Sequence, residues 1–191
     1  MKTDQSQLQI TRNFLPYNAQ LDPRSKQSIK RVVIHCTELP DLKTARQYGE
    51  HIHHLESGTG HSGHYYIERD GSVHQWVELE RIAHHAAAHN ADSIGIELIN
   101  LGRYPDWHHS EHQVMTQSYT GDQIQALIVL INTLKTEIPG LEQITGHQHL
   151  DQRKIPASDQ PQLEIFRKLD PGPLFPWQQV LAATGLTGFD D

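Results

Sequence analysis

Apolar and polar positions alternate in blocks along this chain, and the blocks change period. Residues 31–36, Arg-Val-Val-Ile-His-Cys, form a short apolar, β-branched run that predicts a buried strand ending at His35. Asp41 stands as the cap of a helix over 42–56, which Gly58, Gly60 and Gly63 break. Residues 65–68 and 72–77 are strand-like runs joined through Asp70-Gly71, a strong hairpin signal. Residues 93–99 predict another short buried strand. Behind Thr120 and Asp122, the positions Ile124, Leu127, Ile128, Ile131 and Leu134 recur at helical spacing until Pro139-Gly140. Residues 143–145 predict a short strand leading to His147, and 150–167 an inserted loop or short helix. Pro176 and Trp177 open a last helix that closes near Gly185.

The first thirty residues are polar and carry Pro16 and Pro23. The expected organisation is therefore an N-terminal arm over 1–30, one catalytic domain over 31–185 and a tail over 186–191. Strands alternate with helices around an embedded hairpin. That pattern predicts a single α/β domain with a mixed central sheet flanked by helices. Residues 100–119 are long, polar and aromatic, and a loop of that length in a compact domain usually serves function. Its Tyr104 and Trp107 are candidates for one wall of a binding groove, with 148–167 as the other.

A length of 191 residues suits one domain with a sizeable core. A net charge of −7 argues against general affinity for nucleic acid or anionic membrane. No apolar run is long enough to span a bilayer. The N-terminal residues lack the apolar core of a signal peptide, so a cytoplasmic location is expected, with a periplasmic or secreted one if a leader has been removed. A single cysteine, Cys36, excludes an internal disulfide and a cysteine-rich zinc site. Histidine is the outlier, with 15 residues, so each must qualify by context. Nothing in the sequence bears on oligomeric state.

Three residues qualify as ligands of a catalytic zinc. His35 ends a buried strand, His147 follows a glycine that lets the backbone aim the ring, and Asp170 precedes a rigid Pro-Gly-Pro turn. Two imidazoles and a carboxylate, with a fourth position left to water, are the chemistry of such a site. Nitrogen and oxygen donors favour zinc over Cu(I) or an iron–sulfur cluster. His149 competes with His147, but the Thr-Gly-His context favours the latter. Glu97 is a carboxylate in an otherwise apolar strand, costly unless paired or used. It is the candidate to take a proton from the attacking water and pass it to a leaving amine. Lys168, two residues before Asp170 and on the same face of an extended segment, is the candidate to steady an oxyanion. Cys36 reads as a small buried residue, not a nucleophile.

These residues lie in segments that resemble the zinc-dependent N-acetylmuramoyl-L-alanine amidases of the AmpD type, relatives of the peptidoglycan recognition proteins and phage amidases. The matching pieces are Val-Val-Ile-His-Cys-Thr at 32–37, Ser-Gly-His-Tyr-Tyr-Ile at 62–67 and Arg-Asp-Gly-Ser-Val at 69–73. They continue with His-Ala at 85–86, Ser-Ile-Gly-Ile-Glu-Leu at 93–98, Thr-Gly-His at 145–147, Lys-Leu-Asp-Pro-Gly-Pro at 168–173 and Phe-Pro-Trp at 175–177. The resemblance implies a zinc-bearing groove with ligands His35, His147 and Asp170 and catalytic partners Glu97 and Lys168. It also places His85 near the groove as a substrate contact; Tyr65 and the loop residues Tyr104 and Trp107 are further candidates for substrate contact. The implied substrate is peptidoglycan or its muropeptide fragments, in cell-wall recycling. The chain departs from the family in its longer connection over 148–167. The rival readings are a non-catalytic muropeptide-binding module, a histidine-rich metal buffer and a stem-peptide peptidase.

Overall fold

The computed structural model describes residues 8–188; residues 1–7 of the expected arm and 189–191 of the expected tail lie outside the described residues. In chain order the elements are β1 (Ile10–Arg12), β2 (Arg31–Cys36), α1 (Leu42–Glu50), β3 (Tyr65–Ile67), β4 (Val73–Gln75), β5 (Ser93–Leu98), α2 (Gly121–Glu137), β6 (Gln143–Gly146), α3 (His147–Leu150), β7 (Lys154–Pro156), β8 (Glu164–Phe166), α4 (Trp177–Thr184) and β9 (Thr187–Gly188). Seven strands form one mixed sheet in the order β1-β4-β3-β5-β2-β6-β9. Among the described residues only the β3–β4 hairpin of that sheet is antiparallel; its other pairings are parallel.

Strand alternation gives the sheet two different faces. On one, Val32, Ile34, Ile94, Ile96 and Leu98 pack beneath α2 and α4 in the main core. The helix α2 starts where expected, because Thr120 and Gln123 close a reciprocal capping box. On the other face lie His35, Gly95 and Glu97, with His35 paired in register opposite Glu97. A second apolar cluster, including Leu15, Tyr17, Leu21, Tyr66 and Trp76, backs this side. Leu15, Tyr17 and Leu21 come from the segment that looked like an arm, and β1 from the same segment pairs with β4.

Two elements differ from the sequence expectation. Helix α1 is capped by Asp41 as expected but stops at Glu50, not near residue 56. Continuing it would need the Gly49 carbonyl to accept from the His53 N–H. Instead the Tyr17 hydroxyl donates to that carbonyl at 2.5 Å, and the His53 N–H goes to the Thr59 carbonyl. The stretch 150–167, expected as a loop or short helix, leaves the single turn α3 at Leu150 and forms the antiparallel pair β7–β8. Asp151 closes the base of that hairpin by accepting from both Arg153 and Arg167.

Candidate active site

The parallel strands β2, β5 and β6 end side by side, and in an open α/β sheet that is where ligands bind. Register aligns Gly146 of β6 with Ile34 of β2, so His147 emerges beside His35. Asp170 is held against both. Its backbone carbonyl accepts from the Gln148 N–H at 2.9 Å, and the Tyr119 hydroxyl donates to the Pro171 carbonyl at 2.7 Å. The result is a buried trio, His35, His147 and Asp170, whose ligand atoms all lie within 4.8 Å of one another. Oδ2 of Asp170 lies 2.9 Å from Nδ1 of His35 and 3.2 Å from Nδ1 of His147. The trio lies in a groove of about 730 Å³ that Glu97, Lys168 and His85 also line.

Hydrogen-bond bookkeeping settles the tautomer of His35. The carbonyl of His89 can only accept, so the Ser93 hydroxyl, 2.6 Å away, donates to it. Ser93 Oγ must then accept from Nε2–H of His85 at 3.2 Å. Burial holds His85 well below the usual imidazole range, so it is neutral and its Nδ1 is an acceptor. That nitrogen faces Nε2 of His35 at 3.0 Å, so His35 donates through Nε2–H. Burial also pushes His35 down to about 4, which leaves it neutral, with a bare Nδ1 lone pair turned to Asp170 Oδ2. Two acceptors face each other across 2.9 Å. Oδ1 of Asp170 is itself buried without a partner among the described residues. Both observations call for a cation among these donors, and the residues present fit one.

Glu97 and Lys168 complete the electrostatics. Burial, then the negative charge of Asp170, pushes Glu97 up to about 8, against the opposing pull of Lys168. Burial works to raise Asp170, but the charge of His147 and a hydrogen bond from it, together with Lys168, hold it well below the carboxylate range. Glu97 Oε1 is 4.0 Å from Nδ1 of His35. A carboxyl poised near neutrality at the edge of the ligand trio can both accept and return a proton. Gly95 makes the arrangement possible: a Cβ there would lie 2.6 Å from Cγ of His85, so only glycine lets that ring rest against β5.

The remaining sequence candidates separate. His149 turns its Nδ1 back to the Gly146 N–H at 3.3 Å and stays out of the ligand trio. Cys36 is buried, and burial raises its thiol well above the usual range, so it is no nucleophile. Tyr65, expected as a substrate contact, is buried in the main core and does not line the groove. Its neighbour Tyr66, on the opposite strand face, does. His85 lines the groove, but both its nitrogens are engaged by His35 and Ser93, so its place is behind His35. Trp107 lines a side pocket of about 270 Å³ with Arg103 and Lys168, while its neighbour Tyr104 lines neither cavity. The 148–167 stretch does form a wall, through Asp151, Arg153 and Arg167.

A family model described as N-acetylmuramoyl-L-alanine amidase matches residues 25–173, and the chain belongs to that family. Among curated relatives, the 1,6-anhydro-N-acetylmuramyl-L-alanine amidase AmpD of Salmonella typhimurium is 31% identical over 135 residues, which covers 66% of this chain and 58% of the relative. The chain thus spans little more than half the length of that relative. Among solved structures, the amidase AmiD from Escherichia coli, in complex with anhydro-N-acetylmuramic acid-L-Ala-D-gamma-Glu-L-Lys, superposes with a TM-score of 0.60 at 28% identity, over 86% of this chain and 60% of that one. An endolysin amidase from Clostridium intestinale gives a TM-score of 0.66 at 19% identity, over 94% and 97% of the two chains, a likeness of fold alone.

Proposed function

We propose that this protein is a zinc-dependent N-acetylmuramoyl-L-alanine amidase that hydrolyses the amide between N-acetylmuramic acid and L-alanine. The observation that carries the reading is the bare Nδ1 of His35, converging with His147 and Asp170 beside a Glu97 poised near neutrality. Zinc held by those three residues supplies Lewis acidity and lowers the pKa of water at the site. Glu97 accepts a proton from the attacking water as its oxygen bonds to the lactyl carbonyl carbon. Lys168 brings positive charge to the carbonyl oxygen as it gains charge. Glu97 then delivers the proton to the alanine nitrogen, the C–N bond breaks, and a carboxylic acid and an amine leave.

Soluble anhydro-muropeptides are the favoured substrate. The AmpD relative is named for the 1,6-anhydro sugar and the AmiD complex contains it. Such a substrate goes with wall recycling in the cytoplasm. Mass spectrometry of products from a defined anhydro-muropeptide tests the reading, using protein stripped of metal and then reloaded with zinc. The expected products are the free sugar acid and the intact stem peptide, formed only after reloading. Binding without cleavage would instead establish a muropeptide-binding module, and cleavage within the stem a peptidase.

A further inference from the structure

Five histidines outside the ligand trio stand side by side, and three of them reach the groove. They come from three stretches of chain: His51, His53 and His54 just after α1, then His61, then His84. Ring centroids are 4.7 Å apart for His51 and His53, 4.5 Å for His53 and His61, 4.8 Å for His54 and His61, and 4.6 Å for His54 and His84. The last two contacts are edge-on, at 80° and 88°. They match the 4.7 Å and 73° that separate His35 from His147 within the ligand trio. His54, His61 and His84 line the same groove as that trio.

Backbone hydrogen bonds hold the cluster together. The N–H groups of His53 and His54 both donate to the Thr59 carbonyl, and the Gly58 N–H donates back to His54. The Ser62 N–H donates to the His84 carbonyl, which ties the third stretch to the second. Gly60 has no room for a side chain, since a Cβ would lie 2.1 Å from the His51 carbonyl oxygen. Imidazoles brought this close repel one another as cations. Burial, followed by the neighbouring histidines, pushes His61 down to about 4, and burial also lowers His53 and His84. None of the five pairs with a carboxylate among the described residues; the histidines that do are His35, His109, His112 and His147. Nδ1 of His84 is buried without a hydrogen-bond partner among the described residues. Neutral imidazoles with free lone pairs are the form that takes up a metal ion.

We propose that His54, His61 and His84 form a second metal site on the groove wall, taking a divalent transition ion of the zinc, nickel or copper kind. The donors are all imidazole nitrogens, which suit those ions over magnesium or calcium. The site is weaker than the His35–His147–Asp170 set. It has no carboxylate, and at least one of its rings must turn to bring three nitrogens together, whereas the trio's donors already converge.

The test is a zinc titration of the protein followed through the imidazole nitrogen resonances of each histidine. The first equivalent is expected to move His35 and His147. A further equivalent should move His54, His61 and His84 together and saturate. His61→Ala and His84→Ala should each weaken that second step by roughly tenfold or more while leaving the first in place. The proposal is overturned if the three resonances stay unmoved in excess zinc, or if the second step survives both substitutions unchanged. Because each histidine is read separately, failure at His35 and His147 would count against the zinc amidase reading alone.

Discussion

Nε2 of His35 lies 3.0 Å from Nδ1 of His85, and that contact decides which nitrogen of His35 is free. The proton on Nε2 is fixed by a relay that ends on a backbone carbonyl, through His85 and Ser93. Partners that hold the far nitrogen of a ligand histidine typically matter tenfold to a hundredfold in metal affinity. His85→Ala should therefore weaken zinc binding by about that factor, measured by competition with a chelator. Ser93→Ala should have a smaller effect, since it removes only the group that sets the tautomer of His85. Unchanged zinc affinity in His85→Ala would falsify the relay.

Gly95 gives a second handle on the same relay. Gly95→Ala adds one methyl where Cγ of His85 would be 2.6 Å away, so the ring must leave its seat. The expected result is the zinc-affinity loss of His85→Ala, with the His85 side chain intact. An alanine there with full zinc affinity would show that the ring can shift and still hold His35.

Glu97 and Lys168 should separate from metal binding. Glu97→Gln keeps the size and removes the proton acceptor; Lys168→Met keeps the stem and removes the charge. Each should slow turnover roughly a hundredfold or more with zinc still bound. Metal analysis beside steady-state kinetics checks both halves. A Lys168→Met protein with near-normal kcat would move the oxyanion role elsewhere.

Much of this site was legible because its parts sit at element ends. A β-branched run ending in His35, a glycine before His147 and a Pro-Gly-Pro turn after Asp170 are local patterns, and the fold brings those ends together. The place of Glu97 at the groove was legible because a carboxylate in an apolar strand stands out. The relay was not, since it depends on a register and a close approach at Gly95 that no local pattern encodes. Tyr65 and Tyr66 show the same limit: alternation says that they face opposite ways, but only pairing with β5 decides which faces the groove. The early end of α1 rests on the Tyr17 hydroxyl, 32 residues away in sequence. The β7–β8 hairpin depends on Asp151 meeting Arg167, a contact closed only in three dimensions.

That contact carries a pH dependence. Hydrogen bonds from Arg153, and then from Arg167, hold the Asp151 carboxyl below the usual carboxylate range, outweighing the burial that raises it. A depressed folded-state value means that the contribution is fully present above the unfolded pKa, about 4, and fades as pH falls through the folded value. Asp151→Asn should therefore cost stability at neutral pH, and the gap to the unsubstituted protein should narrow as the solution is acidified. Urea melts at several pH values check this; a constant gap would remove Asp151 as the cause.

Arg103 sits behind Lys168 and ties its segment down. It is almost fully buried and donates to both carboxylate oxygens of Glu38, at 2.7 and 2.9 Å. Its other N–H groups donate to Gln113 Oε1 at 3.1 Å and to the carbonyls of Phe166 and Arg167 at 3.1 and 3.2 Å, just before Lys168. Arg103→Met removes the guanidinium and leaves Glu38 buried without its partner, which typically costs about 3–5 kcal/mol. Glu38→Gln in the same chain removes the stranded charge, so the double variant should be more stable than Arg103→Met alone. The two carbonyls stay unheld in both, so turnover should remain low even where stability recovers, because Lys168 is no longer positioned. Arg103→Lys should not restore it, since one ammonium cannot span a carboxylate and two carbonyls. Urea unfolding of the four-member cycle, read beside kcat, separates the two roles. Additive stability losses would show that Arg103 and Glu38 act independently.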